Sequence, residues 1–311
     1  GGDMRLRRIV AALLLLGLAG GALFYALSMP SVAVSGTLPP RAADLSNGET
    51  MFNAGGCASC HATPKQEDGK RLGGGLALNT PFGRFYVPNL STDATHGIGA
   101  WSEEAFVNAM LRGVGRNGEH LYPAFPYTSY QRMTLDDVRD LFAFLRTLPA
   151  EVTANQPHEL PFPFNVRRGL GLWKRIYLDG KMFVPDPARS TLLNRGAYLV
   201  EGPAHCAECH SGRDLLGGII PERRFAGGAD AEGKGWVPNI TPGENGIAAW
   251  SDKDIAYLLE TGTTPDYDSV GSNMADVVIN TGKLPAQDRD AMAAYLKSLP
   301  PRSGKAPAKK H

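Results

Sequence analysis

The stretch CASCH, residues 57–61, has a counterpart in CAECH, residues 206–210, and these two stretches decide how the chain is interpreted. Together they contain all four cysteines of the 311-residue sequence. Four cysteines are compatible with two disulfides, and C-x-x-C pairs also occur in thioredoxin-like redox sites and in zinc sites. However, no βαβ pattern surrounds either pair, and no nearby residues complete a set of four zinc ligands. The histidine that directly follows each pair favours a different chemistry.

The order C-x-x-C-H is the attachment signature of c-type haem, in which two thiols form thioethers to the porphyrin and the imidazole binds the iron. One match can arise by chance, but two matches with no cysteine left over are a strong signal. The sequence therefore predicts two covalently bound haem c groups. The residues predicted to hold them are Cys57, Cys60 and His61 for the first haem, and Cys206, Cys209 and His210 for the second.

The two motifs belong to a longer internal repeat. Cys206 follows Cys57 by 149 residues, and Trp250 follows Trp101 by the same interval. VPNLSTDATHGIGAWSEEAF in the first copy corresponds to VPNITPGENGIAAWSDKDI in the second, and the copies end alike in FAFLRTLP and MAAYLKSLP. This repetition predicts two domains of the same fold, each holding one haem.

Each copy is predicted to be helical. Ser46-x-x-Glu49 and Thr134-x-x-Asp137 have the spacing of capping boxes. WSEEAFVNAMLRG and WSDKDIAYLLETG each begin with a serine cap, continue with helical apolar spacing and end near glycine. The glycine-rich residues 71–83 are expected to be a loop that covers the porphyrin, and no segment predicts a sheet. The fold class is therefore predicted as all-α.

The N-terminus predicts a transmembrane helix. Residues 9–27 carry no charge and follow the basic residues 4–8. A helix of that length spans ~28 Å, close to the thickness of the hydrocarbon core. A cleaved signal peptide also begins with basic residues, but this run is longer than a usual signal core, and no clear cleavage site follows it. We expect an uncleaved anchor with Arg5, Arg7 and Arg8 in the cytoplasm.

The predicted domain order follows from these features. The formal net charge of +1 gives no electrostatic reason to expect nucleic acid as a partner, and 43% hydrophobic residues are sufficient for globular domains. The expected segments are a transmembrane anchor at 4–28, a tether at 29–43, a first domain at 44–149, an interdomain linker at 150–189, a second domain at 190–301 and a basic tail at 302–311.

The repeated pattern resembles a known family. A helix that runs into C-x-x-C-H, then a Pro-Asn element and a last helix ending in YLKSLP, is similar to the class I cytochrome c fold. The segment GIGAWSEEAFVNAMLRGVGRNGEHLYPAFPY and the linker ELPFPFNVRRGLGLW resemble the membrane-bound multihaem cytochrome subunits of bacterial alcohol and aldehyde dehydrogenases. This resemblance implies two tandem class I cytochrome c domains behind an N-terminal transmembrane anchor helix. Those alcohol dehydrogenase subunits usually carry three haems, whereas this sequence has two motifs.

Further residues are candidates for contacts with the haems. The resemblance implies that the carbonyls of Pro88 and Pro238 accept a hydrogen bond from the proximal histidine, which would fix the ring; a plain turn proline is the alternative. Trp101 and Trp250 would donate an indole N–H to a haem propionate or pack against the porphyrin. Arg84 would pair with a propionate or be a solvated surface arginine.

The sixth iron ligand differs between the copies. Met274 follows His210 by 64 residues and precedes the last helix, where class I cytochromes place their methionine. A thioether suits low-spin haem iron and raises its reduction potential. Met274 follows Trp250 by 24 residues, and the same interval after Trp101 leads to Phe125, which cannot coordinate iron.

Met133, 72 residues after His61, is the thioether nearest to Phe125 along the sequence, and it is a candidate ligand of the first iron. It also fits a hydrophobic staple with Val138, which is a structural alternative. If neither residue binds the iron, the first haem has an open side or a ligand of another kind.

These features predict an electron-transfer protein rather than an enzyme. The resemblance adds a periplasmic dehydrogenase or other redox protein as donor, quinone or a terminal oxidase as acceptor, and a place at the bacterial inner membrane with the haem domains in the periplasm. The alternative is a haem enzyme, such as a dihaem peroxidase or a thiosulfate-oxidising cytochrome, that uses an open first haem. No distal acid–base group in the sequence favours this alternative.

Overall fold

Helices form most of the ordered elements of the chain. The computed structural model describes residues 2–233 and 235–305, so the predicted basic tail lies outside the described residues from residue 306 onward. Twelve α-helices are found in the described residues: α1 Gly2–Leu27, α2 Leu45–Ala54, α3 Cys57–His61, α4 Glu103–Arg112, α5 Tyr127–Tyr130, α6 Leu135–Leu145, α7 Leu170–Tyr177, α8 Thr191–Glu201, α9 Cys206–Cys209, α10 Asp252–Thr261, α11 Asn273–Thr281 and α12 Ala286–Ser298. Four short strands accompany them: β1 Ala77–Thr80, β2 Gly83–Tyr86, β3 Gly228–Ala229 and β4 Trp236–Val237.

In the first half of the chain, α2 packs across α6. Their contact is apolar, and the rings of Phe52 and Phe144 lie 5.4 Å apart within it. Gly48 permits the close crossing, because a Cβ atom at this position would lie 2.2 Å from the carbonyl oxygen of Asp140. Helix α4 closes the same core with the buried side chain of Val107.

The second half repeats this crossing with α8 and α12. Leu199 and Met292 are buried between these helices, and Ile255 of α10 lies in the same core. Gly196 has the role of Gly48, since a Cβ atom there would lie 1.9 Å from the carbonyl oxygen of Ala291. The two crossings show that the sequence repeat is also a structural repeat.

Most predicted helix starts agree with the structure, and one does not. Thr134 and Ser102 cap α6 and α4 through their hydroxyl oxygens. Helix α2 begins earlier than the Ser46-x-x-Glu49 pattern predicts: Asp44 is its cap and accepts a hydrogen bond from the backbone N–H of Asn47 at 3.0 Å. The backbone N–H of Asp44 is itself bound by Asp140, 96 residues later, so a tertiary contact places the start of this helix.

The prediction of an all-α fold is wrong in detail, because two small antiparallel hairpins are present. Strands β1 and β2 pair with Leu78 opposite Phe85, and β3 pairs with β4. Half of the first hairpin lies within residues 71–83, which were expected to form a loop. The hairpin is joined to the linker by a backbone bridge between Arg84 and Glu159. Each of its strands has four residues, which is too short for an alternating pattern to be recognised in the sequence.

No residue of α1 is buried along the segment Asp3–Leu27. Among the described residues it is the one helix that is long and apolar enough to cross a membrane. A signal sequence near an N-terminus has the same length and composition, so these two properties fit an anchor and a signal equally.

The segment at residues 29–43 packs against the first half of the chain. The predicted tether is bound by Asn108, whose side-chain oxygen accepts from the backbone N–H groups of Ala33 and Val34 at 2.8 and 3.0 Å. Arg41, also in this segment, forms an ion pair with the buried Asp140 at 2.6 Å. These contacts hold the segment against α4 and α6.

Candidate haem sites

Both C-x-x-C-H motifs form a single helical turn, α3 and α9. The residue before each turn is in the left-handed region, with φ of 58° at Gly56 and 40° at His205. No disulfide joins any of the four cysteines. Burial raises the pKa of Cys57 and of Cys206 to about 12. Within the described residues, no group of three or more histidine, cysteine, aspartate or glutamate side chains is arranged to hold a metal ion.

The histidine of each motif has the same hydrogen bond. The Nδ1 atom of His61 lies 2.8 Å from the carbonyl oxygen of Pro88, and the Nδ1 atom of His210 lies 2.8 Å from that of Pro238. A carbonyl oxygen only accepts, so Nδ1 carries the proton in each ring and Nε2 keeps its lone pair. Burial lowers the pKa of both histidines, which favours the neutral imidazole that binds iron.

Glycine permits the close approach of chain segments behind each histidine. The backbone N–H of Gly74 donates to the carbonyl of His61 at 2.9 Å, and Gly227 donates to His210 at the same distance. A Cβ atom on Gly74 would lie 2.4 Å from the carbonyl oxygen of Pro88, and both glycines have positive φ. Glycine is therefore required for the segment that presents the proline carbonyl.

The asparagine after each proline was not identified as a functional residue from the sequence. The side-chain amide of Asn89 donates to the carbonyls of Glu151 and Thr153, at 2.6 and 2.9 Å. Asn239 donates in the same way to the carbonyls of Glu244 and Arg302. Each asparagine holds its Pro-Asn element in place, and the signal that could have identified it was the repetition of Pro-Asn in both copies.

The predicted propionate partners lie as follows. Trp101 and Trp250 are partly buried and pack against the core, and each backbone N–H donates to an isoleucine three residues earlier. The guanidinium of Arg84 lies 3.4 Å from the carboxylate of Glu159, and its Nε donates to Asn79 at 2.9 Å. Arg84 therefore has surface partners within the protein, and its contact with a propionate stays a prediction, as do those of the two tryptophans.

The two attachment turns contact opposite halves of the chain. Ser59, just before the second cysteine of α3, accepts a hydrogen bond from the amide of Asn280 in α11 at 2.8 Å. Glu208, at the same place in α9, accepts from the hydroxyls of Thr128 and Ser129 in α5, each at 2.7 Å. This reciprocal pair had no signal in the sequence, because serine and glutamate share no pattern and their partners are far away along the chain.

Electrostatics agrees with this proximity. Desolvation by the surrounding protein raises the pKa of the Cys60 thiol, and the nearby Cys209 raises it further, so the second cysteines of the two motifs are neighbours in space. Burial acts to raise the pKa of Glu208, but Arg213 and the two hydroxyl donors outweigh it and lower the pKa. Glu208 is therefore a charged carboxylate at the contact between the halves.

Comparison with known proteins agrees with this geometry. A cytochrome c family model matches residues 45–149. A diheme cytochrome c-type protein of Cereibacter sphaeroides is 46% identical over 297 residues, which cover 95% of this chain and 99% of that protein. The chain belongs to the cytochrome c family.

Other relatives of this cytochrome are subunits of larger assemblies. The fructose dehydrogenase cytochrome subunit of Gluconobacter japonicus is 38% identical, and the match covers 83% of this chain and 53% of that subunit. The cytochrome c subunit of a quinone-dependent alcohol dehydrogenase from Gluconacetobacter polyoxogenes is 33% identical, with 88% of this chain and 59% of the subunit covered. The cytochrome thus spans little more than half the length of these two relatives.

The cytochrome carries two covalently bound haem c groups, as the sequence predicts. The residues fit them: each half presents two free thiols and an imidazole whose Nε2 has its lone pair available. The proximal ring is fixed through Nδ1, and a fixed ring with a hydrogen-bonded Nδ1–H is a more basic iron ligand.

The two candidate positions for a sixth ligand differ in their surroundings. Met274 lies in the first turn of α11 and is partly buried against the core. Phe125, the residue at the equivalent interval, lies two residues before the start of α5, and its ring centroid lies 5.4 Å from that of Tyr130. Tyr130 in turn donates to the carbonyl of Gly55, two residues before Cys57. Phe125 is thus linked by packing to the first attachment turn.

Met133 lies in a different environment. Its side chain is 1% exposed and belongs to the hydrophobic core, as does that of Val138. It directly precedes Thr134, the cap of α6, just as the buried Leu284 directly precedes Pro285, the cap residue of α12. This position is that of a hydrophobic staple. Coordination of iron by Met133 stays a prediction.

Proposed function

We propose that this cytochrome is a membrane-anchored electron-transfer subunit that accepts electrons from a periplasmic dehydrogenase and passes them to quinone or a terminal oxidase. Its relatives include cytochrome subunits of dehydrogenases, which supports electron transfer rather than substrate chemistry. In this proposal, residues 44–149 and 190–301 are two cytochrome c domains, and residues 150–189 are the linker between them.

The observation that carries the proposal is the reciprocal contact between the attachment turns. Because Ser59 and Glu208 each bind the opposite half, the segments that hold the two porphyrins are kept side by side. The bound haems supply a one-electron iron couple. The chain's own residues fix the proximal imidazoles through Pro88 and Pro238 and hold the two halves at one separation.

In this proposal His61 and His210 are the proximal ligands, and Met274 is the sixth ligand of the second iron. A thioether ligand favours ferrous iron and raises the potential. The first iron has either Met133 or no methionine. Unequal ligands would give unequal potentials, and these would set a direction for electrons along the pair.

Membrane attachment is proposed through α1, an exposed apolar helix with Arg5, Arg7 and Arg8 at its start. Basic residues flanking a membrane helix remain on the cytoplasmic side, which would put the haems in the periplasm at the bacterial inner membrane. The comparisons with dehydrogenase subunits do not favour the alternative of a haem enzyme.

The experiment uses the full-length holoprotein in liposomes. The haems are reduced without excess reductant, and their reoxidation is followed by absorbance after quinone is added to the bilayer or after oxidase-containing bacterial membranes are added. We expect both haems to be reoxidised by one of these acceptors. If neither acceptor oxidises either haem, the proposed place in electron transfer is wrong.

The Cys206→Ala/Cys209→Ala protein is the matched control, because it lacks the attachment site of one haem. Retained reoxidation of the remaining haem would show that the first haem reacts directly with the acceptor. Loss of reoxidation would place the second haem between the first haem and the acceptor.

A further inference from the structure

Helix α7 lies against the end of α1. Gly171 permits the contact, since a Cβ atom there would lie 2.4 Å from the carbonyl oxygen of Ser28. Arg175 donates from Nε to the carbonyl of Leu27 at 2.6 Å, and Arg168 donates to the carbonyl of Tyr25 at 2.8 Å. These carbonyls belong to the last turn of α1, where positively charged guanidinium groups are favourable because the C-terminal end of a helix carries a partial negative charge. Helix α7 therefore lies at the level where α1 ends.

One face of α7 is apolar and points to solvent. Leu172 and Ile176 are four residues apart and share this face. Both are exposed, and 66% of Ile176 is accessible. The opposite side faces the protein: the ammonium group of Lys174 donates to the carbonyls of Arg112 and Gly113, at 2.8 and 2.6 Å.

The loop at residues 214–217 continues this apolar face. The indole N–H of Trp173 donates to the carbonyl of Leu216 at 2.9 Å, and the hydroxyl of Tyr177 donates to the carboxylate of Asp214 at 2.7 Å. These two bonds fix the loop beside α7. Its tip presents Leu215, which is 96% exposed, next to the exposed Leu216.

Aromatic side chains extend the same surface on the other side of the loop. Phe82 lies close to the loop, since a Cβ atom on Gly217 would be 3.0 Å from its ring. The rings of Phe82 and Phe164 are 5.1 Å apart, and Phe162, two residues earlier, is 80% exposed. We define the interfacial surface as Phe162, Phe164, Leu172, Ile176, Leu215 and Leu216.

The composition of this region is that of an element lying in a membrane interface. Such elements combine an apolar face with arginine or lysine, and they contain tryptophan and tyrosine at the level of the lipid headgroups. Here Arg168 and Arg175 border the face that carries Ile176, and Trp173 and Tyr177 lie beside it. A contiguous apolar surface of this kind is unusual on a protein that meets only water.

We propose that the interfacial surface rests in the headgroup layer of the bilayer that α1 enters, with anionic lipid headgroups beside Arg168 and Arg175. This inference rests on the proposed anchoring by α1. Lipid is favoured as the occupant because the surface is continuous with the end of α1: a bilayer spanned by α1 has its boundary near Leu27 and Ser28, which touch α7 directly.

Contact with the bilayer at α7 would orient the haem-binding halves. Lys174 joins α7 to the end of α4, and the ring of Tyr127 at the start of α5 lies 4.8 Å from its ammonium group. Phe125 packs against Tyr127, with ring centroids 6.3 Å apart. A chain of packed residues thus connects the interfacial surface with the segment near the first haem, so that this segment is held at one height above the membrane.

The test uses the full-length holoprotein in liposomes of phosphatidylcholine with phosphatidylglycerol. Nitroxide labels are attached to Ile176→Cys and Leu215→Cys, with Val152→Cys as the exposed control away from the surface and Leu16→Cys in the middle of α1. Power saturation gives the ratio of collisions with membrane-dissolved oxygen to collisions with a water-soluble nickel complex. We expect a ratio at residues 176 and 215 several-fold above that at residue 152, and a higher one still at residue 16.

The labels separate the possible outcomes. If residue 16 reports the bilayer while residues 176 and 215 match residue 152, the interfacial surface is wrong and the anchoring stands. If residue 16 reports water, the anchoring fails and takes this inference with it. If both collision rates at 176 and 215 are low and do not change with the lipid, a second copy or another subunit covers the surface, and the inference is overturned. The haem absorbance of each labelled variant checks its fold.

Discussion

The two halves of the cytochrome share a scaffold but differ at the position expected to face the iron. Each half has a glycine at its helix crossing, a 2.8 Å bond from histidine to proline, and a tight loop after its third helix. That loop is closed by Leu121 and Gly113 at 2.7 Å in one half, and by Val270 and Gly262 at 2.8 Å in the other.

Beyond this loop the halves diverge. The four-residue α5 follows Phe125, whereas the nine-residue α11 begins just before Met274. The parts that attach haem are thus the repeated parts, and the part that would adjust the iron is the variable one. This division suits the proposed function, in which the two haems are held alike but differ in potential.

The prediction with the largest expected effect tests whether the halves are equivalent by removing one haem attachment site at a time. Cys57→Ala/Cys60→Ala and Cys206→Ala/Cys209→Ala should each reduce the covalent haem content from two to one, because no thioether can form at the altered site. Mass spectrometry of the purified chains and their haem absorbance measure this. If one double variant loses both haems, the halves depend on each other for assembly, and the comparison as independent sites fails.

A second test replaces the proposed ligand that only one half has. Met274→Leu should abolish the far-red charge-transfer band of methionine-ligated ferric haem, and it should lower one of the two reduction potentials by on the order of 100 mV, within the ~0.8 V over which axial ligands act. Spectroelectrochemical titration measures both.

Phe125→Met is the matched change in the first half. It should raise the lower of the two potentials if residue 125 is equivalent to residue 274. If both reduction potentials of Phe125→Met equal those of the wild type, residues 125 and 274 are equivalent in the sequence repeat but not in their position relative to the iron.

A third test concerns the helix crossings. Gly48→Ala and Gly196→Ala each place a methyl group against a backbone carbonyl, which we expect to cost about 1–3 kcal/mol of unfolding free energy. Gly196→Ala should cost more, because its Cβ would lie 1.9 Å from the carbonyl oxygen rather than 2.2 Å. Urea unfolding of the oxidised holoprotein measures this, and Gly169→Ala is the control, with open space around its Cβ and a right-handed helical backbone. Stability equal to wild type in either crossing variant would contradict the close packing.

A fourth test decides between two explanations of Met133. Met133→Leu nearly conserves side-chain volume, so a staple residue should keep the visible spectrum and lose less than about 1.5 kcal/mol of unfolding free energy. We expect this result, because the side chain is enclosed in the core as Leu284 is. Loss of a far-red band or a large fall in one potential would identify Met133 as the ligand of the first iron instead.

The prediction with the smallest expected effect concerns the N-terminal caps of α4 and α10. Ser102→Ala and Ser251→Ala each remove the hydroxyl that accepts the backbone N–H of the third residue of α4 or α10, and each should cost about 1 kcal/mol. Ser251→Ala should cost more, because its helix has the complete capping box with Asp254. Thermal unfolding of both variants measures the order, and the reverse order would show that the second half tolerates the loss of its cap.

Local features of the sequence predicted much of the site. The C-x-x-C-H motifs and the caps at Ser102, Ser251 and Thr134 each lie within a few residues, where residue type determines chemistry or geometry directly. The cap of α2 was missed because Asp44 is positioned by Asp140, and the first hairpin was missed because the linker supplies one of its partners.

By itself, the sequence determined that this protein holds two haem c groups in two repeated segments, because thiols and imidazole must be adjacent in the chain to attach one porphyrin. Only the tertiary structure decided what surrounds those segments. It enclosed Met133 in the core, bound Ser59 and Glu208 to opposite halves, and placed α7 at the end of α1. These outcomes depend on which distant surfaces pack together, and packing joins residues by shape and hydrogen bonding rather than by their spacing in the chain.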